Sequence, residues 1–216
     1  MSKDYIVAID LETTGIDPSI SGICEIGAVF GTADGEVLDF FREDCNPGEV
    51  VFTDEARRIN GFTDERLRRA RPVEHVVADL QKQLEVYRGS YQGTKYENNV
   101  TLLFHNAIFD CGFLQPVYRR TNLDMFFFRR VLCTVSIAFA VIRPHMTRKL
   151  AKLAELFELT NTAEHSALND ALTTFKVYSK LMQIEQQDAI TRIVNTETNK
   201  FDRMFAPTPY PIPVCV

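Results

Sequence analysis

The sequence predicts an α/β fold, a mixed β-sheet with helices on its faces. Two observations predict it. Apolar runs with β-branched residues come first, at residues 5–10, 23–30 and 36–41. Helix and strand patterns then alternate, with an amphipathic helix over 72–87, a buried strand over 100–104 and a helix over 107–120. A meander followed by helix–strand–helix alternation implies a mixed sheet.

Each element has a local reason. Residues 5–10 (YIVAID) form a near-continuous apolar run and read as a central strand. The turn at 31–35 (GTADG) makes 23–30 and 36–41 a hairpin. A short helix follows over 53–60, with Thr53 as its cap. Residues 88–99 are polar, hold two glycines and read as a loop. The run 131–142 reads as a buried helix, too short to span a bilayer. Within it 136–142 is helical, as is 149–158, and 168–182 is amphipathic at helical spacing. A further helix is read within 184–205. The end, 206–216 (APTPYPIPVCV), has proline at every second position from 207 to 213 and excludes helix and central strand.

The 216 residues, 45% of them hydrophobic, suffice for one sizeable core, with room for an appendage. A net charge of −5 argues against a nonspecific cationic coat for nucleic acid, though not against an enzyme acting on it. Five cysteines, at 24, 45, 111, 133 and 215, form no CxxC pair, so a reducing, cytoplasmic location is expected. The first residues run straight into a strand with no leader pattern, and no membrane association is expected.

Three distant stretches supply a chemical constellation. Alternate strand residues share a face, so Asp10 and Glu12 are neighbours at the end of an apolar strand. Two acids so placed need open solvent or a divalent cation between them. Alone, the pair is more often a solvated strand end. Asp110 falls in the first turn of a helix, where the dipole favours an acid. Asn106 reads as a structural turn residue, with a substrate contact as the alternative, and His105 reads as structural. Asp170 lies inside the late helix, and His165 precedes it, so that both can face one cleft. A histidine near such carboxylates suits a general base. Four acids and one base fit a phosphodiester-cleaving centre with two divalent metal ions.

These motifs, IDLETTG (9–15), HNAIFDCGFL (105–114) and HSALNDA (165–171), resemble the three motifs of the DnaQ-like exonucleases, DEDDh subgroup. That is the group of the DNA polymerase III epsilon subunit and RNase T. NPG (46–48) and EARRINGFTDE (55–65) also resemble the family's spacing. The likeness implies a ribonuclease H-like mixed sheet with helices on both faces, and stepwise 3′-to-5′ removal of nucleotides. It implies two ions, Mg²⁺ or Mn²⁺: one held by Asp10, Glu12 and Asp170, the other by Asp10 with Asp110. His165 would deprotonate the attacking water. Thr13, Thr14, Ile59, Asn60, Gly61 and Phe62 would line the pocket for the terminal nucleotide. Phe62 has two readings, a stacking platform for the base or a core residue. One departure is Cys133-Thr134, where the family often has Asp-Thr. Altered local bonding without loss of chemistry is expected there.

The expected organisation is an exonuclease domain over 1–183 and an extension over 184–216 ending in the proline-rich tail. The expected substrates are single-stranded DNA or RNA 3′ ends, with DNA slightly favoured. An exoribonuclease and a catalytically inactive binding module are the alternatives; the complete set of five residues weighs against the second. The tail suits a polymerase or other protein partner, or is simply a terminus. Arg57, Arg58, Arg66, Arg68, Arg69 and Arg71 read equally as a phosphate track and as solvated helix faces.

Overall fold

A computed structural model of the chain describes residues 4–88, 99–142, 149–159 and 166–197, with backbone only from 185 onward. The chain divides into two compact units, Met1–Leu181 and Met182–Val216. The first unit begins with β1 (Tyr5–Thr13), β2 (Ile23–Thr32) and β3 (Val37–Asn46). Next come α1 (Asp54–Asn60), α2 (Asp64–Arg69), β4 (Arg71–Pro72), α3 (Val73–Tyr87), β5 (Val100–Phe104) and α4 (Ala107–Arg120). A 3₁₀ turn (Met125–Arg129), β6 (Val131–Cys133), α5 (Thr134–Val141), α6 (Leu150–Leu156) and α7 (Ala167–Glu197) complete the described elements.

The six strands lie in the order β4-β3-β2-β1-β5-β6. β1 to β3 form the antiparallel meander, while β5 joins β1, β6 joins β5 and β4 joins β3 in parallel. The sheet is mixed, as the order of sequence patterns predicts. Strand alternation sorts its two faces. Val7, Ile9 and Leu11 of β1 and Ile26, Ala28 and Phe30 of β2 enter one core with Val76, Val77, Leu80 and Leu84 of α3 and Phe113 and Leu114 of α4. On the opposite face, Gly27 and Gly31 of β2 lie against Ala167, Leu168 and Phe175 of α7. Helices therefore cover both faces.

The departures from the sequence reading have local causes. Residues 131–142 are not one helix. Residues 131–133 pair with β5 as an edge strand, Phe104 opposite Cys133, and the helix begins at Thr134. Pro72 does not open a helical turn but lies in β4, a two-residue edge strand, where its missing N–H costs no ladder bond. A second short helix, α2, follows α1. Gly61, at φ 68, ends α1, and the Thr63 side chain caps α2 by accepting from Arg66 N at 3.2 Å. Thr53 caps α1 as expected, accepting from Ala56 N at 3.2 Å. α7 runs unbroken to Glu197 where a separate helix was expected. Most of the loop read at 88–99, and the tail at 206–216, lie outside the described residues. No described helix is long and apolar enough to cross a membrane.

Candidate active site

β1 is central, and its end carries the first two acids. Asp10 pairs with Gly27 and Glu12 with Glu25. Their side chains leave the face opposite the Ile9–Leu11 core and point toward the start of α7. The register shifts between Glu12 and Thr13, which ends the regular ladder beside the acids. The chain then turns sharply. Thr13 Oγ1 donates to Gly15 O (2.7 Å), and Thr14 Oγ1 donates to Val51 O (2.7 Å) and accepts from Gly22 N (3.0 Å).

The third acid comes from α4. Asn106 takes the left-handed conformation (φ 67) that lets the chain pass from β5 into that helix, and it makes no side-chain cap. Asp110, one turn on, is 3% exposed. Its carboxylate is favoured by its own N–H and that of Leu11, against burial, which pushes its pKa well up. The fourth acid, Asp170, lies in the first turn of α7, its N–H bonded to Ser166 O at 3.0 Å.

These elements converge. Carboxylate oxygens of Asp10, Glu12 and Asp170 lie within 4.8 Å of one another. Asp110 stands close enough to be the strongest like charge on Asp10. Burial, then Asp110, Asp170, Glu12 and Glu25, drive Asp10 well above the carboxylate range. Burial, then Asp170 and Glu25, push Glu12 up to about 7. Every cause acting on these two acids is unfavourable to charge, so the group calls for cations. Oxygens at this spacing suit a divalent ion with ligand distances near ~2.0–2.6 Å. His165 lies outside the described residues.

The expected substrate residues divide. Leu11, Glu12, Thr13, Ile59 and Asn60 line a cleft of about 480 Å³ beside the acids, with Gly15, Ile16, Thr53, Glu55, Ala56 and Phe109. The Asn60 amide is engaged within the chain: it donates to Thr13 O at 3.0 Å and accepts from Phe62 N at 3.1 Å, tying α1 to the end of β1. Thr14 is fully buried. Phe62 is no platform: it is 3% exposed, clustered with Cys24 and Leu67, and the Arg66 guanidinium covers its ring at 3.7 Å. The ring is thereby closed to a base. Ile16 (87% exposed) and Ile59 offer apolar surface to the cleft instead. Nothing in sequence distinguishes an exposed isoleucine from a core one.

Four arginines of the expected track are committed to acids: Arg57 to Asp64, Arg66 to Asp44, Arg69 to Glu65 and Arg71 to Asp79. Arg58 and Arg68 are exposed, with no ion pair among the described residues. Glu25 escaped the sequence reading. It is a 1% exposed acid opposite Glu12, paired with Arg42. Its only signal was an acid inside an otherwise apolar strand. At the Cys133-Thr134 departure, Thr134 Oγ1 meets His105 Nδ1 at 2.8 Å, which ties α5 to the end of β5 and fits the structural role expected of His105.

The model of a family described as Exonuclease (RNase_T) matches residues 7–178. The chain belongs to this RNase T exonuclease family. The likeness carried by the three motifs is therefore one of descent. Among curated relatives, the DNA polymerase III PolC-type of Thermotoga petrophila is 27% identical over 194 residues, 90% of this chain and 13% of that protein. That of Oceanobacillus iheyensis is 28% identical over 181 residues, 84% of this chain and 12% of that protein. The chain thus spans about an eighth of the length of these relatives. The fold is shared with the nuclease domain of 3′hExo, a DEDDh family member, bound to rAMP (TM-score 0.69, 21% identity, 84% of this chain and 92% of that one). It is shared also with E. coli exonuclease I in complex with a dA16 oligonucleotide (TM-score 0.70, 15% identity, 86% and 42%).

Proposed function

We propose that the chain is a divalent-metal-dependent 3′-to-5′ exonuclease. It would hydrolyse the terminal phosphodiester of a single-stranded nucleic acid to a nucleoside monophosphate. The observation that carries this is the convergence of Asp10, Glu12 and Asp170 oxygens within 4.8 Å, with Asp110 beside them and an apolar-walled cleft adjoining. Asp10, Glu12 and Asp170 would hold one ion, and Asp10 with Asp110 the other. Bound there, Mg²⁺ or Mn²⁺ would lower the pKa of water and offset charge on the leaving 3′ oxygen. The chain's own part is positioning and proton transfer. His165 accepts the proton of the attacking water. Thr13 and the side chain of Ile59 face the terminal nucleotide, while Thr14, buried and bonded within the chain, and Asn60, Gly61 and Asn106 shape the turns that hold them. The terminal base rests on Ile16, Ile59 and Phe109.

DNA is the favoured substrate, because the curated relatives are DNA polymerases and one structural neighbour is bound to a DNA oligonucleotide. The rAMP-bound neighbour supports a second reading, an exoribonuclease. Residues 1–183 would be the catalytic domain and 184–216 an extension offering its proline-rich tail to a polymerase or other protein. The free thiols of Cys24, Cys45, Cys111 and Cys133 suit a reducing cytoplasm. The test is the purified chain with Mg²⁺ or Mn²⁺ against labelled DNA and RNA of matched sequence. Faster metal-dependent loss of DNA is expected. Faster loss of RNA would select the exoribonuclease, and inertness toward both would refute the enzyme.

A further inference from the structure

Four acids converge only if α7 lies close on the sheet at one point, and the structure shows what allows it. Gly27 is the β2 partner of Asp10, on the same face. A Cβ at Gly27 would stand 2.2 Å from Ala167 C, 2.2 Å from Leu168 N and 2.4 Å from Ala167 O. These are backbone atoms of the first turn of α7 and cannot rotate away. Ala167 and Ala171 are fully buried, so the helix has no slack at this contact. Asp170 lies in the same turn, its oxygen within 4.8 Å of those of Asp10 and Glu12. Four residues along β2, Gly31 makes room for Phe175 in a different way: a Cβ there would meet the end of the ring, Cζ at 2.3 Å, and Glu36 O at 2.6 Å. That second contact is roughly 13 Å from the acids along the strand.

We infer that Gly27 is a positioning residue for the active site: its bare Cα lets the α7 backbone rest on β2 beside Asp10 and so sets the reach of Asp170. This rests on the proposed metal-dependent activity. Any side chain at 27 lifts the first turn of α7 and opens the Asp10–Asp170 gap, whereas a side chain at 31 strains the packing of Phe175 without moving that turn.

The test compares Gly27→Ala and Gly31→Ala in the full-length chain by thermal melting, Mn²⁺ titration and steady-state cleavage of a single-stranded oligonucleotide. Displacing a ligand by about 1 Å is expected to lower kcat in Gly27→Ala by about 100-fold and raise the Mn²⁺ half-saturation by about tenfold, with KM for the oligonucleotide within about threefold. Gly31→Ala should melt at lower temperature with wild-type Mn²⁺ half-saturation. The longer side chain of Asp170→Glu, harmful alone, should restore part of the rate and metal affinity when combined with Gly27→Ala. The inference is overturned if Gly27→Ala keeps the wild-type Mn²⁺ half-saturation, if Asp170→Glu is no less harmful beside it than alone, or if Gly27→Ala fails to fold while Gly31→Ala folds. A wild-type chain that neither binds Mn²⁺ nor cleaves would overturn the proposed function as well; an active wild type with an indifferent Gly27→Ala overturns the positioning role alone.

Discussion

Glu12 shows at a single residue why a cation would relieve this site. Its folded pKa of about 7 lies above the ordinary glutamate value of 4.5, because burial and Asp170 oppose its charge. A carboxyl raised in this way favours the folded state when protonated. That stability is fully present below pH 4.5 and is lost as pH rises through about 7, a loss on the order of 3 kcal/mol. The metal-free protein should therefore melt at falling temperature between pH 5 and 7.5, with Mg²⁺ or Mn²⁺ raising the melting temperature more at the upper end. Calorimetry with chelator and with metal checks this; a metal-free melting temperature that rises over the same range would remove Glu12 from the list of strained acids. Asp10→Ala, Glu12→Ala, Asp110→Ala and Asp170→Ala should each reduce cleavage by orders of magnitude with the fold retained. His165→Ala should lose ~10²- to 10⁴-fold in rate but still bind metal. Loss of metal binding in that variant, read by titration calorimetry, would make His165 a ligand.

At the scale of elements, what was legible depended on how local the cause was. β1 and β5 are long apolar runs, and alternation alone puts Asp10 and Glu12 on one face. Asp110 was legible because it falls in the first turn of the helix that follows β5. β6 was not: three residues carry no period, and the pairing Phe104–Cys133 is set by β5, not by the strand itself. Phe62 was ambiguous because Arg66, which covers its ring, belongs to a second short helix to which the sequence reading assigned no element. The approach of Asp170 depends on Gly27, some 140 positions earlier, and no local pattern records it. The tie between the end of α1 and the end of β1 gives a test at this scale. Asn60→Ala leaves Thr13 O and Phe62 N–H without their partner and should cost ~1–3 kcal/mol by urea unfolding. Since Thr13 and Ile59 flank the cleft, KM should rise as well; an unchanged KM would mean that Asn60 supports the fold and not the pocket.

For the whole molecule, the central β1 with α4 on one face and α7 on the other brings four acids from three distant stretches to one end of the sheet. Cleavage there would require the last base to leave its stack. Unpairing costs a few kcal/mol in a duplex and less in a single strand. Single-stranded DNA should be cut fastest, a duplex with a mismatched 3′ end next and a paired blunt duplex slowest. Equal initial rates on the three would show that the end is accepted paired. Whether these acids form a metal-dependent 3′-to-5′ exonuclease centre is read from the products of a single-stranded oligonucleotide labelled at its 5′ end, with Mg²⁺ and with chelator. A descending ladder that appears only with the metal is expected; immediate release of labelled mononucleotide, or the same ladder in chelator, would refute such a centre.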